Sequence, residues 1–306
     1  MKKILACRLC NSRHIRPFHK GIKDYEYESP GEYEYLQCNE CGLLNINPLP
    51  NERTLSLAYP PAYHAYHSQP NALARIMKKK YWEEKARRYS KLVSKTARIL
   101  DAGCSRGDLL FELKEKGFKR VQGIDFSNDA VERAQSMGLN VIKAELTDLA
   151  NSKYTFDLII MINFIEHVYN PLEIMNCCNE MLKPGGIVVG ETPNISSWDF
   201  NIFGKHWGGY HTPRHLHLFN KNTITLLGNL GGFSVKSITN IIQPAHWALS
   251  IQNRIQDSSF RMQLNRGRSF LFTPLILFFL PLNTIQKLLS NTSLIEFVFC
   301  KDVQNS

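Results

Sequence analysis

The feature that most constrains the fold is an alternation of short apolar strands and helices that begins near residue 97. Strands are predicted near 97–103, 120–125, 140–145, 156–163, 186–192, 233–240 and 294–301, and helices near 108–117, 127–137, 171–182 and 221–230. Repeated strand–helix units predict an α/β fold with a doubly wound, mostly parallel, seven-stranded Rossmann-like sheet. Ligands of such sheets bind at the carboxyl ends of the strands.

Acidic residues end three successive strands of this predicted sheet. Asp101 ends the first strand in DAGCSRG, Asp125 ends the second in GIDFS, and Glu145 ends the third in KAEL. The first loop has neither the lysine of a triphosphate-binding loop nor the glycine spacing of a dinucleotide loop. Gly103 and Gly107 still allow the backbone to approach a ligand closely. Three acids repel phosphate and suit a cationic nucleoside such as S-adenosylmethionine (SAM), which carries a sulfonium and an α-amine.

The cysteines near the amino terminus indicate a metal site. Four of the eight cysteines form two C-x2-C pairs, which are Cys7 with Cys10 and Cys38 with Cys41. Each pair can place two thiolates on one turn, and two such turns complete a tetrahedral zinc site. The segment between them, DYEYESPGEYEYLQC, predicts a β-ribbon with a Pro-Gly turn. Two disulfides are the alternative, and His14 or His19 could replace one of the thiol ligands. We expect a structural Zn²⁺, because four thiolate ligands leave no coordination position for water.

These patterns divide the chain into four parts. We predict a zinc-ribbon leader over 1–50, a connector and helix over 51–95, a SAM-binding Rossmann-like core over 96–241, and a helical insertion with the last strand over 242–306. The apolar part of MKKILAC is too short for an export signal, and no apolar run reaches the roughly 18 residues of a membrane span. We therefore expect a cytoplasmic protein with reduced thiols.

The insertion contains the most apolar segment of the chain, FLFTPLILFFLPL. Two prolines interrupt it, so we interpret it as helices that cover the sheet or line a binding pocket. The alternative is peripheral contact of 254–282 with a membrane, aided by four arginines, in service of a lipid-linked acceptor.

The chain resembles a known family in five motifs that occur in order. ILDAGCSRGDLL, GIDFSNDAVERA, FDLIIMINFIEHVYNP, LKPGG and ETPN resemble the motifs of class I SAM-dependent methyltransferases, over roughly residues 95–240. The cysteine-rich leader and the segment W…HTPRHLHLF are similar to a bacterial subgroup often linked to polysaccharide, sugar or natural-product modification. Ser105 replaces the usual second glycine of the first loop, and Ala144-Glu145 replaces a usual Gly-Asp.

The resemblance implies a set of cofactor residues. By position these are Asp101, Gly103 and Gly107 at the methionine end, Asp125 at the ribose, Phe126, Glu145 and Leu146 around the adenine, and Asn163 facing the cofactor. Taken singly, Asp101 could be a helix cap and Phe126 a core aromatic residue. The ordered set of motifs favours the cofactor interpretation.

Histidines are the candidate catalytic residues, because an oxygen or carbon nucleophile needs a base with a pKa near neutral. The candidates are His215, His211 and His167. In the same loop, Trp207 could stack on an acceptor and Arg214 could bind its anionic group. A buried structural histidine pair and a second metal site are the alternatives for this loop.

We therefore expect a SAM-dependent methyltransferase that modifies oxygen, nitrogen or carbon of a small molecule or a glycan or natural-product precursor. The acceptor could be lipid-linked or nucleotide-linked. The alternatives are an RNA methyltransferase that uses the ribbon as a grip, as the net charge of +10 would allow, and a non-enzymatic SAM-binding protein. Residues 1–60 hold eight Lys/Arg and seven Asp/Glu, so the ribbon is near neutral and we expect no nucleic-acid partner.

Overall fold

The computed structural model describes residues 3–60, 63, 72–150, 155–289 and 291–303. Within these residues the strands form two sheets, one of four strands and one of seven. The small sheet belongs mainly to the leader, and its strands are β1 (Ile15–Ile22), β2 (Tyr33–Cys38), β3 (Leu44–Asn47) and β9 (His217–Leu218). They pair antiparallel in the order β1-β2-β3-β9.

The large sheet confirms the predicted fold. Its strands are β4 (Arg98–Ala102), β5 (Arg120–Asp125), β6 (Val141–Lys143), β7 (Phe156–Ile162), β8 (Leu182–Pro193), β10 (Phe233–Ile241) and β11 (Leu294–Lys301). Their order is β10-β11-β8-β7-β4-β5-β6. The pairs from β8 through β6 are parallel, and β11 is antiparallel to both of its neighbours. The strand order therefore reverses beside β4, which places a ligand crevice there.

Helices cover both faces of the large sheet. They are α1 (Glu52–Ala58), α2 (Ala72–Tyr89), α3 (Asp108–Glu115), α4 (Asn128–Ser136), α5 (Leu146–Ala150), α6 (Pro171–Met181), α7 (Trp198–Phe203), α8 (Lys221–Leu230), α9 (Ala245–Gln256) and α10 (Phe272–Leu288). One apolar cluster joins α2, α3 and α4 to the sheet, and another joins α5, α6 and α8 to it. Leu109 and Leu113 of α3 lie one turn apart and are both buried, as an amphipathic helix requires.

The leader differs from the predicted ribbon. The expected first strand of DYEYESPGEYEYLQC is a loop, and β2 pairs instead with the earlier strand β1. The side chain of Asp24 explains the loop, because its carboxylate accepts hydrogen bonds from the backbone N–H groups of Glu26, Tyr27 and Ser29. The segment turns around this carboxylate, and its amides are not free for a strand ladder.

The histidine-rich loop after β8 joins the leader's sheet. Strand β9 of this loop pairs with β3, with Leu44 opposite Leu218 and Asn45 opposite His217. The leader is therefore hydrogen-bonded to a segment that is more than 160 residues away in the chain, and the two meet at one end of the large sheet.

The insertion consists of α9 and α10 and the loop between them. The two helices pack against each other, and α9 also packs on α7. No helix in the described part of the chain combines the length and apolar character needed to cross a bilayer.

Candidate functional site

The four predicted metal ligands lie together in the leader. The Sγ atoms of Cys7 and Cys41 are 3.5 Å apart, as are those of Cys10 and Cys38, and all four fall within 4.8 Å of one another. These separations exceed the roughly 2.05 Å of a disulfide, and all four cysteines are free. Tetrahedral zinc with bonds of about 2.3 Å needs sulfurs roughly 3.8 Å apart. The donor set and spacing therefore fit Zn²⁺, and the four thiols are not joined as disulfides in this structure.

One large cavity lies at the carboxyl ends of β4, β5 and β7, with a volume of about 2530 Å³. A pocket for a single drug-sized ligand measures roughly 300–1,000 Å³, so this cavity can hold a cofactor and an acceptor together. Seven of the eight predicted cofactor residues line one end of it, and these are Asp101, Gly103, Asp125, Phe126, Glu145, Leu146 and Asn163.

The loop after β4 is held in place by Asp125. Its Oδ2 accepts a hydrogen bond from the Ser105 backbone N–H, and its Oδ1 accepts one from that of Ser127, both at 2.9 Å. Ser105 has a positive φ of 49°, in the region where glycine is usual. The hydrogen bond to Asp125 supports this backbone conformation, so serine is accommodated at the position where the family pattern has glycine.

Asp101 is 4% exposed and lies beside Asp125 at the end of β4. Burial, with a further contribution from the charge of Asp125, raises the pKa of Asp101 to about 8. Burial also raises the pKa of Asp125, against the hydrogen bonds from Ser127 and Ser105. No cationic side chain of the described residues neutralises these two buried carboxyls, so this part of the cavity favours a cationic ligand.

Gly107 is the exception among the predicted cofactor residues, because it does not line the cavity. It has a φ of 79° at the start of α3, and a Cβ there would lie 2.4 Å from the Cδ1 of Leu139. Gly107 therefore serves the packing of α3 against Leu139. Gly103, by contrast, lines the cavity, and a Cβ there would lie 2.8 Å from the Phe164 ring.

The other end of the cavity is lined by histidines. His167, His211, His215 and His246 all contribute to its wall. The rings of His167 and His215 are 4.6 Å apart between centroids, and those of His211 and His215 are 4.9 Å apart. The three predicted catalytic histidines therefore form one continuous cluster in the wall of the same cavity.

His211 differs from the other two in its partner. Its Nδ1 makes a short contact with the Oε1 of Glu26, a residue of the leader. Burial alone would raise the pKa of the Glu26 carboxyl, but the neighbouring His211, Arg268 and Arg214 side chains hold that pKa well below its usual value. The ionised carboxylate accepts a hydrogen bond from the Nδ1–H of His211, so Nε2 is the ring nitrogen that can exchange a proton with an acceptor.

His167 and His215 are held by backbone carbonyls. The Nδ1 of His167 lies 3.1 Å from the Arg214 carbonyl oxygen, and the Nδ1 of His215 lies 2.9 Å from the Gly209 carbonyl oxygen. Burial lowers the pKa of His167 to about 3 and that of His215 well below its usual value. Both are therefore neutral, and each is a weak base.

Glu166 lies behind these two imidazoles and is fully buried. Its Oε2 accepts a hydrogen bond from the Thr192 hydroxyl at 3.0 Å, whereas its Oε1 has no hydrogen-bond partner. Burial raises the pKa of Glu166 to about 8.

The structure places both predicted acceptor-binding residues in buried positions. Trp207 is 0% exposed, donates its Nε1–H to Asp199 at 2.6 Å and lies outside the large cavity. Arg214 is 1% exposed and is paired with Asp24 at 3.4 Å and Glu26 at 2.7 Å. Both belong to the packed junction between leader and core. Two carboxylates neutralise the guanidinium, so it is not available to bind an anionic acceptor.

Comparison with known proteins identifies the family. Residues 73–238, more than half of the chain, match the model of a methyltransferase domain. The chain belongs to this methyltransferase family. It is 31% identical over 170 residues to a ubiquinone biosynthesis O-methyltransferase of Cereibacter sphaeroides, which covers 51% of this chain and 68% of that one. A homologous enzyme of Paraburkholderia phymatum is 31% identical over 130 residues, 39% of this chain and 55% of that one.

Solved structures support the same fold. A SAM-dependent methyltransferase from Archaeoglobus fulgidus superposes with a TM-score of 0.51 at 20% identity, over 73% of this chain and 94% of that one. The predicted class I SAM-dependent methyltransferase is thus confirmed. SAM is the cofactor of this methyltransferase, while the individual SAM contacts stay predictions.

Several residues at or beside the cavity were not predicted from the sequence. These are Glu26, Tyr59, Glu166, His246 and Arg268, all of which line the cavity or contact a histidine that does. Glu166 had a sequence signal, since it precedes His167 at the end of a predicted strand. Glu26 had none, because its partner His211 lies 185 positions away.

Proposed function

We propose that this methyltransferase transfers the methyl group of SAM to a hydroxyl oxygen of a small molecule, with His211 as the general base and Glu26 as its positioning residue. The observation that carries the proposal is a single cavity with buried acids at one end and a His211–Glu26 pair at the other. The names of the O-methyltransferase relatives support an oxygen acceptor. Transfer to nitrogen or carbon, and a glycan or natural-product acceptor, stay predictions.

The choice of His211 follows from the hydrogen bonds of the three histidines. A base that takes a proton becomes an imidazolium, which a carboxylate on the opposite nitrogen stabilises. His211 has such a carboxylate at Nδ1, whereas His167 and His215 have carbonyl oxygens there and lowered pKa values. The hydroxyl proton would pass to the Nε2 of His211 as the oxygen attacks the SAM methyl carbon in line with the departing sulfur.

The mouth of the cavity indicates an acceptor with an apolar chain. Phe260 and Phe270 line the cavity and are 74% and 78% exposed, so both rings face solvent at its edge. Phe272 and Ile276 of α10 continue this apolar lining inward. An acceptor that covers these side chains would remove their apolar surface from water, which favours binding. Contact of 254–282 with a membrane surface stays an untested prediction.

Catechol and an alkylated catechol are suitable probes, each incubated with SAM that carries a labelled methyl group. The product is identified as a methyl ether by mass spectrometry. We expect His211→Gln to lower kcat by about 100-fold or more, the usual loss when a positioned base is removed, with SAM affinity within a few fold of wild type. Glu26→Gln should lower kcat less, with an unchanged KM.

The leader offers a matched control pair for this test. His14 and Glu40 form a similar contact at 3.0 Å but are 76% and 59% exposed at their side chains. His14→Gln and Glu40→Gln should leave kcat unchanged. Full turnover by His211→Gln, or methylation of an amine probe with no methyl ether from either catechol, would refute the proposal.

The apolar mouth has its own test. Phe270→Ser should raise KM for the alkylated catechol and leave KM for catechol unchanged. Phe278 is equally exposed, at 74%, but lies outside the cavity, so Phe278→Ser should change neither value. Equal effects of the two substitutions would show that the mouth does not bind the chain.

We also propose that the cysteine cluster holds one structural Zn²⁺. The spacing of the four sulfurs supports this, and four thiolate ligands leave no open coordination position for catalysis. In this proposal the leader positions His211 at the cavity through its contact with Glu26. This role differs from the RNA-binding role of the alternative. The RNA alternative stays untested.

A further inference from the structure

Three potential metal-binding atoms converge beside the cavity. They are the Oε1 of Glu166 and the Nε2 atoms of His167 and His215. Oε1 lies 3.9 Å from the Nε2 of His215 and 4.0 Å from that of His167, and all three fall within 4.8 Å of one another. Glu166 is fully buried, and its Oε1 has no hydrogen-bond donor.

The hydrogen bonds of the two imidazoles determine which nitrogens carry protons. A carbonyl oxygen can only accept, so the Nδ1 of His215, which lies against the Gly209 carbonyl, carries a proton. The Nδ1 of His167 lies against both the Arg214 carbonyl and the Tyr59 hydroxyl, and a proton on this nitrogen serves both oxygens. In a neutral imidazole the other nitrogen, Nε2, then has a lone pair. No described residue donates a hydrogen bond to either Nε2. A buried carboxyl oxygen that has no hydrogen-bond partner and two imidazole nitrogens thus lie about 4 Å apart.

We infer that Glu166, His167 and His215 bind a divalent transition-metal ion through Oε1 and the two Nε2 atoms. Two imidazoles and one carboxylate are a donor set suited to Zn²⁺, Fe²⁺, Mn²⁺ or Co²⁺, and imidazole disfavours Mg²⁺ and Ca²⁺. A four-coordinate ion with bonds of about 2.0–2.1 Å needs donors roughly 3.4 Å apart. Side-chain shifts of about half an ångström would bring the three donor atoms to this separation.

The surroundings resemble those of metal-binding histidines in general. Such histidines usually donate the second ring N–H to a carbonyl or carboxylate, and their carboxylate partners are themselves hydrogen-bonded. Here both Nδ1–H groups meet carbonyls, and the Thr192 hydroxyl donates to the second oxygen of Glu166. Both imidazoles line the cavity, so a further coordination position can face the acceptor.

The role of the ion, though not its binding, rests on the proposed function. A hydroxyl bound to a divalent cation loses its proton more readily than a free one. The ring of His211 lies 4.9 Å from that of His215 between centroids, so the proposed base is adjacent to the metal position. An acceptor oxygen on the ion would therefore lie within reach of His211.

Co²⁺ is the probe for the site, added to the purified full-length chain. Its visible absorption separates the two metal sites of the protein, because thiolate ligands add an intense charge-transfer band that nitrogen and oxygen ligands do not. We expect the wild-type chain to take up one equivalent of Co²⁺ with d–d bands only. Glu166→Gln and His167→Gln should each bind it at least about 100-fold more weakly, since even outer partners of metal ligands contribute 10–100-fold.

His246→Gln is the matched control, because His246 lines the same cavity but lies outside the cluster. It should retain Co²⁺ binding. SAM affinity reports whether each variant is folded, and if Glu166→Gln fails to bind SAM, wild type and His167→Gln decide the result.

A wild-type chain that takes up Co²⁺ only with a thiolate band, or not at all, would overturn the inference. Undiminished Co²⁺ uptake by a folded Glu166→Gln variant would also overturn the inference. It would indicate a protonated carboxyl or a bound water at this position in place of the ion. Co²⁺ uptake without methyl ether formation would leave the metal site standing and remove the proposed function. Methyl ether formation without Co²⁺ uptake would support the proposed function and remove the metal site.

Discussion

The buried carboxyl of Asp101 predicts that SAM affinity depends on pH. In the ligand-free protein, burial and the charge of Asp125 raise the pKa of Asp101 to about 8. A cationic cofactor favours the ionised carboxylate, so the protein must release a proton from Asp101 when SAM binds. Affinity should therefore rise with pH up to about 8 and weaken progressively as the pH falls below that value.

The magnitude follows from the fraction of Asp101 that is ionised before binding. With a pKa of about 8, that fraction is about one tenth at pH 7 and about one hundredth at pH 6, so the Kd for SAM should rise about tenfold per pH unit, or about 1.4 kcal/mol. Calorimetry at pH 7 in two buffers of different ionisation enthalpy should show the release of close to one proton per SAM bound.

Asp101→Asn separates this explanation from other titrations. The variant cannot release the proton, so its Kd should be independent of pH between about pH 5.5 and 7.5. Asp129→Asn is the control, because Asp129 is exposed on α4 and should leave the wild-type slope unchanged. A flat wild-type profile, or an Asp101→Asn variant with the wild-type slope, would refute the reasoning.

Three further predictions concern the packing of leader, loop and core. Cys38→Ser should abolish zinc binding at the thiol site, as measured by thiol alkylation, and should lower kcat. SAM affinity measured by calorimetry should stay within a few fold of wild type. A normal zinc content in this variant would contradict the prediction. Trp207→Phe should destabilise the fold by about 1–3 kcal/mol, because the buried Asp199 carboxylate loses its donor, with an unchanged KM for the alkylated catechol; a raised KM would restore Trp207 to the acceptor site. Gly107→Ala should lower the free energy of unfolding by about 1–3 kcal/mol more than Gly138→Ala does. Both glycines have a positive φ, but only a Cβ at position 107 would clash with a neighbouring side chain. Equal melting temperatures of the two variants would contradict this prediction.

Features that depend on neighbouring residues in the chain were predicted well. Strand and helix periods, and the acids at Asp101 and Asp125, arise from local patterns and from a rule that places ligands at the carboxyl ends of parallel strands. The seven-stranded sheet and one end of the cavity follow from these alone. The four-cysteine cluster was also predicted from the sequence, because each C-x2-C turn brings two sulfurs together locally.

Features that depend on distant contacts were not readable from one sequence. Trp207 and Arg214 lie in a polar, histidine-rich segment that suggests an exposed loop, and burial against the leader reverses that expectation. The Glu26–His211 contact and the convergence of Glu166 with His215 exist only once β9 joins the small sheet. The loop of 24–29 was mistaken for a strand because alternation of side chains ignores the acceptor that Asp24 supplies to the backbone.

The pairing of β9 with β3 has a consequence for recombination among related enzymes. The boundary that would be drawn in the sequence, at the end of the leader, cuts through a continuous hydrogen-bonded sheet. A chimera that exchanges only the leader would graft one half of an interface onto a foreign other half and separate Glu26 from its His211. The transplantable unit is discontinuous: it comprises the leader and residues 205–219 together, and acceptor preference should move between enzymes only when both pieces are exchanged.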